Sequence, residues 1–526
     1  MTGTRFRLSK VVSSQHFGSR GAKSMLPRQS NLKIYWPGLL AIGLVASLIY
    51  VQGIANGFVA EDFDWLAFSR SGSDASAYLA FQFRPLPVAA VFLIQALAGM
   101  NPIVYHFVSI LLHVGCAIWV FYLMLLLTEN RPVSLIGALI FAIYPRHHEP
   151  VMWMASNNTL WASCFYLLAL LGFILFLKRD NHLFLWGSLV AFVLALLSNE
   201  MAVMLPLVLF CLEFILFSAE GKQTWRKLRS LRKYVPYFVI LFAYGLFLLY
   251  SQGQSMLSTT SSGYHWSGQL VRQLKTFASY VVYLIFPHIP LRSLDINVPV
   301  MLLAVGTSLG LLFVFWKGPR LGRFWLVWIV LTLIPFVFFV PFGNADRYFY
   351  LPSVGFSGLL VEIGLWVFQG VTGGHKRIVK ILVIVILSGY VLGSFIVIQQ
   401  QIKDWQEAGI MAQECIEQVQ ALYPDLAAGD QLYVGNLPAR HGYATVFLGG
   451  GFQGAMHLVY GDPSIKVFVT RDPTILAEIN SSTLRASPIS NTFVLVYDGQ
   501  EIIDRTANAS AFASVLSRDA WYFFDW

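Results

Sequence analysis

Long apolar runs alternate with short polar interruptions over the first three-quarters of the chain. The first runs from about Ile34 to Gln52 and others from Ile103 to Leu127, Tyr234 to Tyr250, Val298 to Trp316 and Ile378 to Ile398. Such runs approach or exceed the ~20 apolar residues that cross a bilayer as a helix. Taken in order they predict about 11 crossings, joined by loops that alternate between the two faces. The run at 276–287 is short and Pro287 and Pro290 follow, so it reads as an interfacial or re-entrant helix. The apolar piece ending at Gly99 is also too short to span comfortably.

The pattern changes at Gln399. Residues 399–422 show helical periodicity with a polar face. Short strand-like runs follow at Gln431–Gly435, His457–Tyr460, Lys466–Thr470 and Thr492–Tyr497, separated by Gly and Pro turns. The predicted organisation is a basic arm over 1–33, a membrane domain over 34–400 with its first external loop at 57–101, and a small α/β domain over 401–526. The triplet Gly449-Gly450-Gly451 lacks the dinucleotide-binding spacing and reads as a turn.

Composition agrees with the periodicity. The chain is 56% hydrophobic and 12% charged, with mean hydropathy +0.62, about half the charge of a soluble protein. The net charge of +9 comes from basic residues in the short loops and on the arm. It is read as positive-inside topology rather than nucleic-acid binding. Arg5, Arg7, Lys10, Arg20, Lys23, Arg28 and Lys33 place the N-terminus in the cytoplasm, and the parity of crossings then places the C-terminus outside. The expected location is a plasma or inner membrane, or the endoplasmic reticulum membrane in a eukaryote. The four cysteines show no CxxC spacing, so neither a zinc site nor a disulfide framework is inferred.

Polar residues near membrane depth are costly and usually line a cavity. Most of them here fall on the predicted outer side. Asn56–Leu66, NGFVAEDFDWL, carries Glu61, Asp62 and Asp64 among aromatics. A carboxylate near an apolar boundary, its pKa raised by desolvation, suits a general base acting on a hydroxyl. His106 and His113, seven apart, share one helix face. The loop Tyr144–Trp153, YPRHHEPVMW, adds His147, His148 and Glu149. These suit a phosphate partner or orient a base, because small environmental changes alter the charge of histidine. A divalent metal stays open as a cofactor, with Glu61, Asp64, His147 and Glu149 as candidate ligands, although the helical zinc spacing is absent. Arg347 can fork onto a phosphate or pair with a nearby acid, and Arg84 is treated alike.

The order of these motifs resembles the glycosyltransferase-C superfamily: acids after the first span, then RPL, H-x6-H, P-x-H-x-E-x-V, N-E and D-R-Y-x-Y-L-P-S-V-G-F. The likeness covers residues 34–400. It is nearest the dolichyl-phosphate-mannose–protein mannosyltransferase branch, which includes transmembrane O-mannosyltransferases with tetratricopeptide repeats. The resemblance implies transfer of a sugar from a polyprenyl-phosphate donor to an acceptor hydroxyl on a protein, lipid or glycan. It implies Asp62 as the base with Glu61 as its pair, and Arg347 as a donor-phosphate contact; His147 and Glu149 match the histidine and acid of the family's second external loop. In the transfer this suggests, Asp64 supports the base, and Arg84 and His147 join Arg347 at the leaving phosphate. His148, Glu149, His106, His113 and Glu200 would support the site. The chain departs from that family at Tyr144, Asn199 and Asp346, and residues 401–526 replace the repeats. The rival expectation is a carrier or flippase of lipid-linked sugars, which the lack of an internal repeat disfavours.

Overall fold

The computed structural model describes residues 35–71, 84–217, 231–257, 270–289, 298–338, 345–371, 375–448, 450–481 and 491–507, with 516 and 522–523. The basic arm, most of the 222–233 loop and Tyr264-His265-Trp266 lie outside these residues.

The apolar runs fold as helices: α1 (Trp36–Leu48), α2 (Asp62–Ser71), α3 (Pro85–Ala98), α4 (Pro102–Thr128), α5 (Arg131–Ala142), the single turn α6 (His148–Met152), α7 (Asn158–Arg179), α8 (His182–Leu196) and α9 (Leu205–Leu212). After these come α10 (Val235–Leu257), α11 (Leu270–Ile285), α12 (Val298–Lys317), α13 (Arg320–Phe338), α14 (Pro352–Gly370) and α15 (His375–Leu422). Asparagine starts several of them: the side chains of Asn101, Asn130 and Asn181 accept the first free amides of α4, α5 and α8.

Among the described residues, 7 helical stretches are long and apolar enough to cross a membrane, and α1, α3, α5, α8 and the Leu302–Lys317 part of α12 are apolar but shorter. A 12-residue helix such as α5 rises only ~18 Å, well short of a ~30 Å hydrocarbon core. Residues 141–160 are buried throughout, so YPRHHEPVMW is packed inside the protein. Helix α11 falls in neither group.

Two expectations about the C-terminal part are corrected. The last span and the polar helix after it are one helix, α15, of 48 residues, about 72 Å long. Its exposed Ile381, Leu382, Val385 and Ile386 give way to buried Trp405, Ala408, Ala412 and Cys415. No Gly or Pro breaks QQQIKDWQEA, so polarity changes while helicity persists. His457–Tyr460 is the end of helix α16 (Gly451–Tyr460), stopped at Gly461 with φ +70°. Short apolar runs do not distinguish strand from buried helix.

The sheet has the order β6-β5-β1-β4-β7. Its centre is parallel: β1 (Gln431–Gly435) lies between β4 (Lys466–Thr470) and β5 (Thr492–Tyr497). β6 (Ile502–Asp504) and β7 (Tyr522–Phe523) close the edges antiparallel. A hairpin, β2 (Arg440–His441) with β3 (Ala444–Thr445), leads into α16. Alternation along β1 sends Leu432 and Val434 into the core shared with the helical bundle. Tyr433 points to the opposite face, into a separate cluster with Ile475 and Ile479 of helix α17 (Pro473–Ser481).

Candidate active site

The acidic stretch begins where the short helix Val51–Ala55 ends, and it turns sharply before α2. Ala60 takes φ +46°, left-handed backbone that a residue with a Cβ adopts at a cost of about 1–2 kcal/mol. Asp62 fastens this turn. One carboxylate oxygen accepts the Val59 amide at 3.1 Å and the other accepts the Ala155 amide at 2.7 Å. Asp62 is fully buried, and burial pushes its carboxyl up to about 8 even though amides from Ala155 and Val59 pull it down. Asp64 is buried against Gly454 of α16, and its oxygens make no hydrogen bond among the described residues. Burial, then the neighbouring Glu61 charge, holds it well above the carboxylate range.

Glu61 differs from both. The residue is partly exposed, but its Oε2 is buried and has no hydrogen-bond partner among the described residues. Burial raises its pKa to about 7, against the pull of its own backbone amide and of the Arg347 and Arg84 guanidinium groups. Arg347 donates its backbone amide to Glu149 at 3.0 Å and pairs with the same carboxylate through its guanidinium. That guanidinium lies over the Trp153 and Tyr348 rings, both 5.3 Å away, and stays 30% exposed. Arg84 forks onto Glu200 with contacts of 2.9 and 3.3 Å. Glu61, Arg347, Glu149, Arg84 and Glu200 therefore form one electrostatically connected group.

The local alternative for Arg347, an ion pair with Asp346, is not what forms. Asp346 turns the other way, to Arg146 at 2.5 Å and His148 at 2.9 Å. Burial opposes its charge, but these two partners prevail and hold it down at about 2. The Trp405 indole, which can only donate, reaches His148 Nδ1 at 2.9 Å. His148 therefore carries its proton on Nε2 and donates it to Asp346. Arg146 also donates to the Tyr283 and Ile289 carbonyls, and it is fully buried. The chain Trp405–His148–Asp346–Arg146 ties α15 to the two loops that carry Glu149 and Arg347.

The other histidines are struts. His106 donates Nε2–H to the Asn56 carbonyl at 3.1 Å, fixing the start of the acidic stretch. His113 donates to the Ala142 carbonyl at 3.1 Å and lies 2.8 Å from the Tyr350 hydroxyl. His147 was expected at the donor phosphate. It is instead enclosed by Phe141, Tyr144 and Tyr350 and bonded to Ser353 at 2.8 Å. Burial, then His113 and His148, keeps it well below the usual histidine range, so the ring is neutral.

The candidate metal ligands Glu61, Asp64, His147 and Glu149 do not converge: Asp64 faces Gly454, His147 faces Ser353 and Glu149 is taken by Arg347. Among the described residues the ligand-type side chains that do converge are Asp404, Glu407 and His441. Both Asp404 oxygens already accept, from Gln400 at 2.7 Å and the Tyr443 amide at 2.8 Å, while Glu407 pairs with His441 at 2.6 Å. These bonds fasten the β2–β3 hairpin to α15. Arg146 and Trp405 carry much of the site's internal order. The first showed in the sequence only as a polar residue at membrane depth, and the second gave no signal.

No family model matches the chain. A segment is similar to proteins named protein O-mannosyl-transferase. Tmtc1 of Drosophila melanogaster is 32% identical over 125 residues, covering 23% of this chain and 14% of that protein. Human TMTC1 is 31% identical over 152 residues, covering 27% and 17%. The matched segment thus spans under a fifth of those relatives. Over nearly the whole length, the structure superposes on ArnT from Cupriavidus metallidurans, covering 90% of this chain and 97% of ArnT, with TM-score 0.50 and 11% identity. The chain shares the ArnT fold. ArnT has also been solved bound to undecaprenyl phosphate, with the same TM-score. The expected likeness to glycosyltransferase-C proteins is upheld by both kinds of relative, as is a polytopic, mainly helical membrane architecture.

Proposed function

We propose that the chain is a membrane glycosyltransferase that moves a sugar from a polyprenyl-phosphate donor to an acceptor hydroxyl on the extracytoplasmic side, with inversion. The observation that carries this reading is a buried Glu61 carboxylate oxygen with no hydrogen-bond partner among the described residues, electrostatically coupled to the 30% exposed Arg347 guanidinium. The undecaprenyl phosphate held by ArnT and the mannosyl transfer named for the sequence relatives support the donor class.

Within the acidic stretch the base is Glu61, in place of Asp62. Asp62 spends both oxygens on backbone amides, whereas Glu61 has a lone pair to offer and a pKa near 7, suited to proton transfer at neutral pH. Glu61 accepts the acceptor's O–H proton. The oxygen attacks the anomeric carbon, the bond from that carbon to the phosphate oxygen breaks, and the electron pair leaves with the lipid phosphate. Arg347 meets that charge, with Arg84 behind it. A fixed donor at a developing anion is worth on the order of 100- to 1000-fold in rate. No step runs through a metal.

The test is release of undecaprenyl phosphate from undecaprenyl-phosphate hexoses by purified full-length protein in detergent, with a membrane extract as acceptor. Release that depends on Glu61 is expected. Binding of the lipid with no release from any hexose donor would instead identify a carrier.

A further inference from the structure

The C-terminal domain grips the acidic stretch at several points. The Ala60 amide, in the left-handed turn immediately before Glu61, donates to the Val446 carbonyl at 2.8 Å. Helix α16 then crosses α2 so closely that only glycine fits. A Cβ on Gly451 would stand 2.3 Å from the Ala60 carbonyl oxygen, and one on Gly454 would stand 2.6 Å from the Asp64 amide nitrogen. Phe447 lies 6.3 Å from Phe63, ring to ring. On the other side, Gly57 meets Gly409 of α15 backbone to backbone, where a Cβ on Gly409 would stand 3.0 Å from the Gly57 amide. Every one of these contacts falls on the segment that carries Glu61, and four involve main chain, which cannot rotate away as a side chain can.

We propose that the C-terminal domain is a positioning clamp for the catalytic loop, with Gly451, Gly454 and the Val446 carbonyl holding the turn at Ala60 that aims Glu61. The inference rests on Glu61 as the base. It assigns a role to residues 401–526 that the membrane domain's chemistry does not require of them. A left-handed alanine relaxes to a more ordinary backbone when its support goes, and that rotation would swing the next side chain. Misplacing a reacting group by about 1 Å costs on the order of 100-fold. Gly451 and Gly454 are positioning residues, since they touch the loop and not the reacting atoms.

The experiment uses the full chain in detergent with undecaprenyl-phosphate mannose as probe, and follows hydrogen exchange of amides 58–66 alongside turnover. Gly454→Ala is expected to lose protection across 58–66 and to lose kcat by on the order of 100-fold, with KM for the probe held within about twofold, as a defect in orientation predicts. Phe447→Leu adds no atom and guards against misfolding of the glycine variant; it should move both readouts the same way, by less. A folded Gly454→Ala with native exchange and native kcat overturns the clamp. Loss of protection in Gly454→Ala together with a native rate in Glu61→Gln upholds the clamp and refutes the assignment of the base.

Discussion

Replacing Glu61 by glutamine separates catalysis from folding. The change keeps the side chain's shape and removes its charge. Because Oε2 has no partner among the described residues, no buried bond among them is broken on that side, and stability should hold. Activity should not. A positioned general base contributes about 100- to 10,000-fold, and the loss belongs in kcat. The native enzyme carries a second signature. With Glu61 near 7, about nine-tenths of it is ionised at pH 8 and about one-eleventh at pH 6, so the rate falls about tenfold over those two units and about tenfold per unit below. Glu61→Gln should flatten that limb. Asp62→Asn makes the opposite pattern. An asparagine has a single acceptor oxygen, so one of the Val59 and Ala155 amides is stranded, at about 1–3 kcal/mol. Thermal unfolding in detergent and the pH dependence of undecaprenyl phosphate release report both quantities. If Glu61→Gln keeps the native rate and limb while Asp62→Asn abolishes turnover at native stability, the assignment of the base is wrong.

Further outcomes follow from the same geometry. Arg347→Gln should weaken binding of undecaprenyl phosphate about 10- to 100-fold, the worth of one charged hydrogen bond. It should also move the acid limb to higher pH, because Arg347 lowers Glu61; titration with the lipid and a pH–rate series check this. His148→Ala leaves a buried Asp346 oxygen and the Trp405 indole unpaired and should cost about 2–5 kcal/mol, whereas Trp405→Phe strands only His148 Nδ1 and should cost about 1–3 kcal/mol from that loss; thermal unfolding ranks the two. The Asp62 carboxyl, raised from 3.8 to about 8 in the fold, binds its proton more tightly folded than unfolded. Its stabilising contribution is full below pH ~4 and is lost as pH rises through ~8, so Asp62→Asn should remove part of the decline in unfolding temperature between pH ~4 and ~8. Asn157 stands in an N-x-S/T sequon but is buried, so a glycosylating host should leave it unmodified, as mass spectrometry of the peptide would show.

What could be read from the sequence follows from which interactions are local. Apolar length and basic loop ends mark helices and their order, because bilayer crossing is a property of each segment by itself. The acids at 61–64, and Arg84, Glu149 and Arg347, were visible because charge near a membrane face is rare in this chain. Partners were not visible. Arg347 chooses Glu149 over its neighbour Asp346, and Asp346 chooses Arg146, 200 positions away; only packing settles such choices. Burial reverses roles in the same way. Asp62 and Glu61 are chemically near-equal in the sequence, yet one meets two amides and the other keeps an oxygen without a partner among the described residues. The glycines of GGGFQG show the limit most clearly. They lack a phosphate-binding spacing and read as a turn, but Gly451 and Gly454 are small because another backbone, nearly 400 residues earlier, passes within reach of where a Cβ would be. A glycine that makes room for a distant segment leaves no local trace, so the coupling between the C-terminal domain and the acidic loop emerges only once both are folded together.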